Sequence, residues 1–314
     1  MQIQDIINEI ADIEKTLVNS HLADLSLMAP TDVKNFKLAW KTIELKRRRE
    51  TIARLVELAA DSVELNFDAI YKACLVDSDD EVRNAAIDGL WENEDPSLMV
   101  SLIDLLNNDP SEKVQASVAL ALSRFVLMAE LGSLSPKYGN VLGHVLLTIA
   151  GDNNKSIEVR RRALEAVAPL STEQVKSAIK DAYESHNEQM TIGAVYAMGR
   201  NCGSKWLPFL LKEIKSSDAE MRYEAVSACG ELGDEDIVQY LLPVANDPDI
   251  DVRLALIQSL GKIGGNEAKQ FLKKNAGDPN EAIREAIEQA LNEISIQDDM
   301  TILEMAPQPE THED

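Results

Sequence analysis

The stretch from Asp247 to Gly265 reads DPDIDVRLALIQSLGKIGG and decides the fold. An aspartate followed by Pro248 is typical of a helix N-terminus, and two consecutive glycines are typical of a helix end. Between them, apolar residues recur at the spacing of one helical face, at Val252, Leu256, Leu260 and Ile263. The stretch therefore predicts one amphipathic helix with a defined start and stop.

The same pattern returns along most of the chain. We call the first residue of the apolar face the anchor. The anchors are Val82, Val114, Val159, Met190, Met221, Val252 and Ile283. The last five anchors follow one another at intervals of 31 residues, and the interval from Val114 to Val159 is 14 residues longer than that. Another apolar segment precedes each anchor, such as 237–242 before Val252. A unit therefore contains two helices, and the anchor lies on the second. One such pair cannot bury its apolar face alone, and neighbouring pairs must therefore stack.

This repeat resembles the short HEAT-like repeat of phycobilisome-lyase-type proteins. The resemblance covers roughly residues 65–294 and is carried by Asp247, Val252, Arg253, Leu260, Gly261, Ile263 and Gly264 and by their counterparts in the other units. It implies an all-α fold, an α-solenoid of about seven HEAT-like helix pairs. We expect this array to span residues 61–295. Because such arrays serve many tasks, the resemblance is specific for the fold and weak for the function.

The resemblance also implies a structural ladder. In the family, an aspartate in the turn within each pair and an arginine six positions later link neighbouring repeats. The matching residues here are Asp77 with Arg83, Asp247 with Arg253, and Asp278 with Arg284. We expect them to satisfy turn amides and to fix the geometry of the repeat rather than to bind a ligand.

Residues 1–60 do not follow the repeat. Apolar residues alternate there by three and four as far as Leu17, and Pro30 separates them from a second apolar helix that extends to about Ala60. We expect an N-terminal helical hairpin that caps the array, with dimerisation as the alternative. The basic cluster at 46–49 is interpreted as a solvated face that pairs with the acidic array, or else as an interaction patch.

Two more segments depart from the repeat. The 14 extra residues lie near 129–143, where Gly132 and Pro136 predict a helix stop and a new start, and hence two lengthened helices. This insertion is either a neutral variant in length or part of a binding face. Residues 296–314 are acidic and contain prolines, so we expect a disordered tail, with 300–305 as a possible docking peptide.

A partner-binding surface is predicted on the second helix of each pair, which lines the concave side in arrays of this type. Positions two and six after an anchor point away from its apolar side. In the central repeats, these positions and the flanking cations are Leu120, Ile192, Tyr196, Tyr223, Leu254, Arg124, Arg200 and Lys262. Apolar and aromatic groups ringed by cations indicate a protein-binding groove, and burial between adjacent helices is the alternative. Trp91 stands where later repeats have glycine, and we interpret it as a packing residue, with an exposed contact residue as the alternative.

Composition excludes several classes of partner. The formal net charge of −23 repels phosphate backbones, so we expect no nucleic acid, and no run of about 18 apolar residues predicts a membrane span. The three cysteines form no CxxC motif and are expected to be free thiols in a reducing cytoplasm. The first residues carry acids and do not resemble a signal peptide.

Catalytic and cofactor motifs are not found in the sequence. The four histidines lie far apart, with no HExxH motif, and the repeated His-Glu pairs that HEAT-like iron hydroxylases use are missing. No Gly-rich phosphate loop or GxSxG motif occurs. We therefore predict no cofactor and a non-catalytic scaffold or regulatory adaptor for another protein. The alternative is a bilin-lyase-like factor that handles a tetrapyrrole and its acceptor protein, which the resemblance alone implies.

Overall fold

The computed structural model describes residues 3–305, with side chains as far as residue 298. Within those residues it contains α-helices and short 3-10 segments but no β-strand. The chain forms two compact units, Met1–Leu170 and Ser171–Asp314.

The helices of the first unit are α1 Ile3–Ala11, α2 Asn19–Ala23, α3 Pro30–Trp40, α4 Leu45–Asp61, α5 Asp68–Cys74, α6 Asp80–Gly89, α7 Leu98–Asn108, α8 Glu112–Glu130, α9 Pro136–Gly151 and α10 Ile157–Val167. Those of the second are α11 Glu173–Tyr183, α12 Glu188–Arg200, α13 Leu207–Glu213, α14 Ala219–Leu232, α15 Val238–Leu241, α16 Ile250–Ile263, α17 Gly265–Asn275 and α18 Glu281–Met305. Short 3-10 segments at Ser204–Trp206, Glu235–Ile237 and Leu242–Asn246 extend α13 and α15.

From α5 onward the helices alternate as seven pairs, from α5 with α6 to α17 with α18. In the first unit the second helices α4, α6, α8 and α10 contact one another in series, and α12, α14, α16 and α18 do the same in the second unit. Every anchor is buried: Val82, Val114, Val159, Met190, Met221, Val252 and Ile283. The predicted fold class, an all-α array of about seven stacked helix pairs, is confirmed.

Each buried anchor stands in fixed register with the cap of its helix. Asp79 accepts the backbone N–H of Val82 at 3.1 Å, and Asp218 accepts that of Met221 at 2.8 Å. Ser156, Asn187 and Asp249 cap their helices in the same way, three residues before the anchor. Because a side-chain cap satisfies an N–H group that the first turn leaves free, it fixes where these five second helices begin.

Arginine–aspartate links join neighbouring pairs. Arg83 donates to the backbone oxygen of Asp77 in its own turn at 2.8 Å, and to both carboxylate oxygens of Asp109 in the next pair at 2.7 Å each. Arg222 likewise donates to the backbone oxygen of Ser216 and to both carboxylate oxygens of Asp247. We call each such Arg–Asp link a rung. A rung ties one turn to the next in sequence.

The predicted ladder residues also make hydrogen bonds within their own turns. The side chains of Asp77, Asp247 and Asp278 each accept a backbone N–H two residues further on. Arg284 donates to the backbone oxygens of Asp278 and Pro279. Arg253 forms no rung, and its Nε is buried without a hydrogen-bond partner among the described residues. The three carboxylates thus accept turn amides, whereas Arg253 and Arg284 form no link to a neighbouring repeat among the described residues.

The N-terminal segment has four helices where the sequence predicts a hairpin of two. The predicted second helix is divided after Trp40. In the turn that follows, the hydroxyl of Thr42 donates to the carbonyl of Ala39 at 2.7 Å and Ile43 is buried. The resulting helices α3 and α4 contact α5 and α6, respectively. They extend the stack by one more pair.

Arginines of the basic cluster at 46–49 are bound to this stack. Arg48 donates to the carboxylate of Asp77, and Arg49 to that of Asp79 at 2.6 Å. Arg47 is buried and donates to the backbone oxygens of Asp12 and Lys15. These contacts support the interpretation of the cluster as a face that pairs with the array.

Two irregular segments are helical at their boundaries. The insertion near 129–143 lengthens α8 and α9, with Gly132 at a φ of 76° between them and Pro136 opening α9. Helix α18 continues to Met305, so that residues 296–305, expected in a disordered tail, are helical. No glycine or proline interrupts the chain between Pro279 and Pro307, which allows the helix to continue. Residues 306–314 lie outside the described part of the chain.

Candidate functional site

The predicted contact residues fall into two groups, because Leu120 and Arg124 lie in the first unit and the others in the second. Ile192 is only 2% exposed and belongs to the core, so its prediction as a surface residue is wrong. Helix α12 packs against both α11 and α14, which leaves only a narrow face for solvent. Tyr196, on the same helix, is 38% exposed.

Two of the predicted flanking cations are bound within the protein. Arg200 on α12 and Lys262 on α16 both donate to the carboxylate of Glu231 on α14. These ion pairs cross-link three consecutive second helices. Both cations remain partly exposed, at 35% for Arg200 and 52% for Lys262, but each is held by a carboxylate of the protein itself.

Tyr223 and Leu254 line one cleft of about 510 Å³ in the second unit. We call it the Tyr223 cleft, and its walls are Ala219, Glu220, Tyr223, Asp249, Asp251, Leu254 and Gln258. They come from the N-terminal part of α14, from α16 as far as Gln258, and from Asp249, the cap of α16. An aromatic ring and an aliphatic side chain thus lie between three carboxylates.

The charge of this cleft follows from the way its helices begin. Asp249 caps α16 and accepts the backbone N–H of Asp251 at 2.8 Å. The nearby cation, Arg222, is held by two hydrogen bonds to Asp247, and these lower the pKa of that carboxyl below its usual range. Asp249 and Asp251 form no ion pair with any described residue. The cleft therefore carries negative charge that the fold does not neutralise.

A second cleft, in the first unit, has a volume of about 360 Å³. We call it the Trp91 cleft, and it is lined by Ile87, Asp88, Trp91, Ser117, Leu120, Ala121, Ser123 and Arg124. Leu120 is 42% exposed at its rim. Arg124 donates to the backbone oxygen of Trp91, while its Nε and Nη2 are buried without partners among the described residues. Burial lowers the pKa of Arg124.

Trp91 is 68% exposed, so the interpretation of it as a packing residue is wrong. Helix α6 ends at Gly89, and Trp91 lies in the turn beyond it, whereas α14 and α16 continue past the matching positions. There Gly230 and Gly261 face the next helix, and a Cβ on Gly230 would lie 2.8 Å from the Cα of Ser259. Trp91 matches these glycines in sequence position but not in structure.

Sequence reasoning did not single out five residues of the Tyr223 cleft: Ala219, Glu220, Asp249, Asp251 and Gln258. Acidic residues occupy the first turn of most helices in this chain, as at Glu158 and Glu188. Their negative charge interacts favourably with the helix dipole at any helix N-terminus. The pattern therefore contains no signal that separates the cleft carboxylates from the others.

Neither cleft is lined by a histidine or a cysteine. Among residues with described side chains, no group of three or more His, Cys, Asp or Glu side chains could hold a metal ion. The buried thiol of Cys229 has its pKa raised to about 12 by desolvation. Of the helices whose residues are described, none is long and apolar enough to cross a bilayer.

Stacked helix pairs with capped anchors define a helical repeat protein. Residues 207–292 match the family of HEAT repeats, which confirms the resemblance. The structure is also similar to the complex of CpcE and CpcF of phycocyanin lyase from Nostoc sp. PCC7120. That similarity has 16% identity and a TM-score of 0.52, and it covers 90% of this chain and 97% of that one. At this identity the likeness shows the fold alone.

Two other solved structures match with lower TM-scores. An engineered protein is 15% identical with a TM-score of 0.41, and the match covers 93% of this chain and 88% of that one. Human deoxyhypusine hydroxylase in complex with glycerol is 18% identical with a TM-score of 0.33, and the match covers 94% and 96%. No curated protein matches the chain.

Proposed function

We propose that this protein is a non-catalytic scaffold or regulatory adaptor that binds a partner protein on the second helices of its second unit. The observation that carries the proposal is the Tyr223 cleft, where Tyr223 of α14 and Leu254 of α16 line one cavity. Aromatic side chains that are half-exposed beside a concavity supply much of the binding energy of protein interfaces. Tyr196, on the neighbouring helix α12, offers a further exposed ring.

Removal of two rings tests this proposal. We expect the joint substitution Tyr196→Ala and Tyr223→Ala to leave the melting temperature nearly unchanged and to abolish capture of a partner from an extract of the native organism. Tyr240→Ala is the matched control, because Tyr240 is 50% exposed and lies on the first helix α15. A double variant that unfolds early would identify the rings as core residues. Equal capture by the wild type, the double variant and the Tyr240→Ala control would refute the proposal.

A bilin-lyase-like role is the second candidate, and the fold likeness to phycocyanin lyase favours it. Both clefts could receive part of a tetrapyrrole, but neither contains a residue set that selects one. Incubation with a bilin, followed by absorbance spectroscopy, tests this role directly. A red shift with a new protein-bound band would support it, and an unchanged spectrum would exclude it.

A further inference from the structure

We propose that the Tyr223 cleft receives a basic segment of the partner protein, with a lysine or arginine side chain between its carboxylates. This inference rests on the proposed function, since it names the chemistry of the partner that the same surface binds. Three features of the cleft support it: its charge, its walls and the state of the neighbouring cations.

The charge of the cleft selects a cation. Three of its seven lining residues, Glu220, Asp249 and Asp251, carry carboxylates, and none of the seven is basic. The whole chain has a formal net charge of −23, which attracts basic segments and repels acidic ones at long range. An acidic partner would have to bring further negative charge into an already negative cavity.

The walls fit the two parts of a long basic side chain. Lysine and arginine lay their apolar stems along hydrophobic surface while the charged head remains near polar groups. Leu254 and Ala219 offer such surface, and the ring of Tyr223 can contact a cation through its face. A volume of about 510 Å³ is large enough for one side chain and the backbone that carries it.

The neighbouring cations Arg222 and Lys262 do not compete for the carboxylates of the cleft. Arg222 is held by Asp247 at 2.7 and 2.8 Å and by backbone oxygens of its own turn. Lys262 is held by Glu231. Arg222 and Lys262 are therefore engaged, and Arg253, which lies between Asp251 and Leu254 in sequence, does not line the cleft. An external cation would find the carboxylates of Asp249 and Asp251 without an ion-pair partner among the described residues.

Defined peptides test the proposal. The probe is a fluorescein-labelled ten-residue peptide with lysines among leucines, and its counterparts carry glutamine or glutamate in place of lysine. Fluorescence anisotropy gives the Kd of each peptide for the full chain at low and high salt. We expect the lysine peptide alone to bind, and to bind more weakly at high salt.

Two pairs of substitutions locate the interaction. Glu220→Gln with Asp251→Asn neutralises two cleft carboxylates, and we expect the Kd of the lysine peptide to rise about fivefold, as for two partly screened ion pairs. Asp236→Asn with Glu267→Gln is the matched control, since these exposed first-turn carboxylates lie outside the cleft and the change in net charge is the same. The control pair should change the Kd by less than about twofold.

Several outcomes would overturn the inference. They are failure of the lysine peptide to bind, equal binding of the glutamine or glutamate peptide, and equal weakening by both pairs of substitutions. Displacement of the peptide by an equal concentration of spermidine would identify a site for small polycations instead of a protein segment. Because capture of the partner through Tyr196 and Tyr223 is measured separately, the proposed function can stand where this inference fails.

Discussion

Arg83 and Asp109 are joined by two hydrogen bonds of 2.7 Å, although 26 residues separate them in sequence. Both side chains are almost fully buried, at 8% and 2% exposure. The planar guanidinium matches both carboxylate oxygens at once, which fixes orientation as well as distance. This rung therefore sets how the pair of α5 and α6 meets the pair of α7 and α8.

Breaking one side of this rung should be costly. We expect Asp109→Ala to lower the free energy of unfolding by about 3–5 kcal/mol, because Arg83 would keep a buried charge without its partner. Urea denaturation followed by circular dichroism measures the change. Asp104→Ala, on the exposed face of α7, is the control and should change stability by less than about 0.5 kcal/mol. A similar small effect at Asp109 would show that the rung does not stabilise the fold.

Acid should remove the contribution of the second rung. The two hydrogen bonds from Arg222 lower the pKa of Asp247 in the folded state. Such a carboxyl stabilises the fold above its unfolded pKa of about 3.9, and this contribution is lost as the pH falls through the folded pKa. We expect the stability difference between wild type and Asp247→Asn to be full at pH 6 and to shrink steadily below pH 4. A difference that stays constant down to pH 2 would contradict this assignment.

Close helix contact should make Gly230 intolerant of any side chain. A Cβ there would lie 2.6 Å from Oγ and 2.8 Å from Cα of Ser259 on the next second helix. We expect Gly230→Ala to cost about 1–3 kcal/mol, because backbone must move to relieve the overlap. Gly151→Ala is the matched control, since nothing lies within 4 Å of its added Cβ. There the better helix propensity of alanine should leave stability unchanged or raise it by up to about 1 kcal/mol. Thermal melts of the two variants compare them directly.

Quenching of tryptophan fluorescence tests the exposure of Trp91. The chain has three tryptophans, and Trp40 and Trp206 are buried. Iodide should therefore quench mainly Trp91, and Trp91→Phe should remove most of the accessible fraction. Equal quenching in the variant and the wild type would mean that Trp91 is packed, as the sequence first suggested.

Much of the fold could be predicted from the sequence, because the interval between anchors is a local property. Val252 and the six other anchors are buried near the N-termini of their helices, as the pattern requires. Which acceptors an arginine of the ladder binds could not be predicted from the sequence. Arg83 binds the carbonyl of its own Asp77 and the carboxylate of Asp109, and this division depends on where the next turn lies.

The candidate site was predicted only in part. Tyr223 and Leu254 do come together, whereas Ile192 is buried because α12 has a neighbour on each side. Periodicity gives the direction of a side chain but not the number of helices around it. The exposure of Trp91 depends on the end of α6 at Gly89, two residues before it, and a helix boundary predicted from sequence is not accurate enough to show this.

The contacts of Asp77 distinguish the first repeat from the later ones. Its carboxylate, 1% exposed, accepts from Arg48 and from the indole of Trp40, and both donors come from the helices before residue 61. Asp247 instead relies on Arg222 of the repeat before it. The repeats are thus not interchangeable modules. An engineer who shortens this chain from its N-terminus would leave a buried carboxylate at Asp77 without these two donors, whereas a segment that keeps Arg222 together with Asp247 retains the donor that the later carboxylate needs.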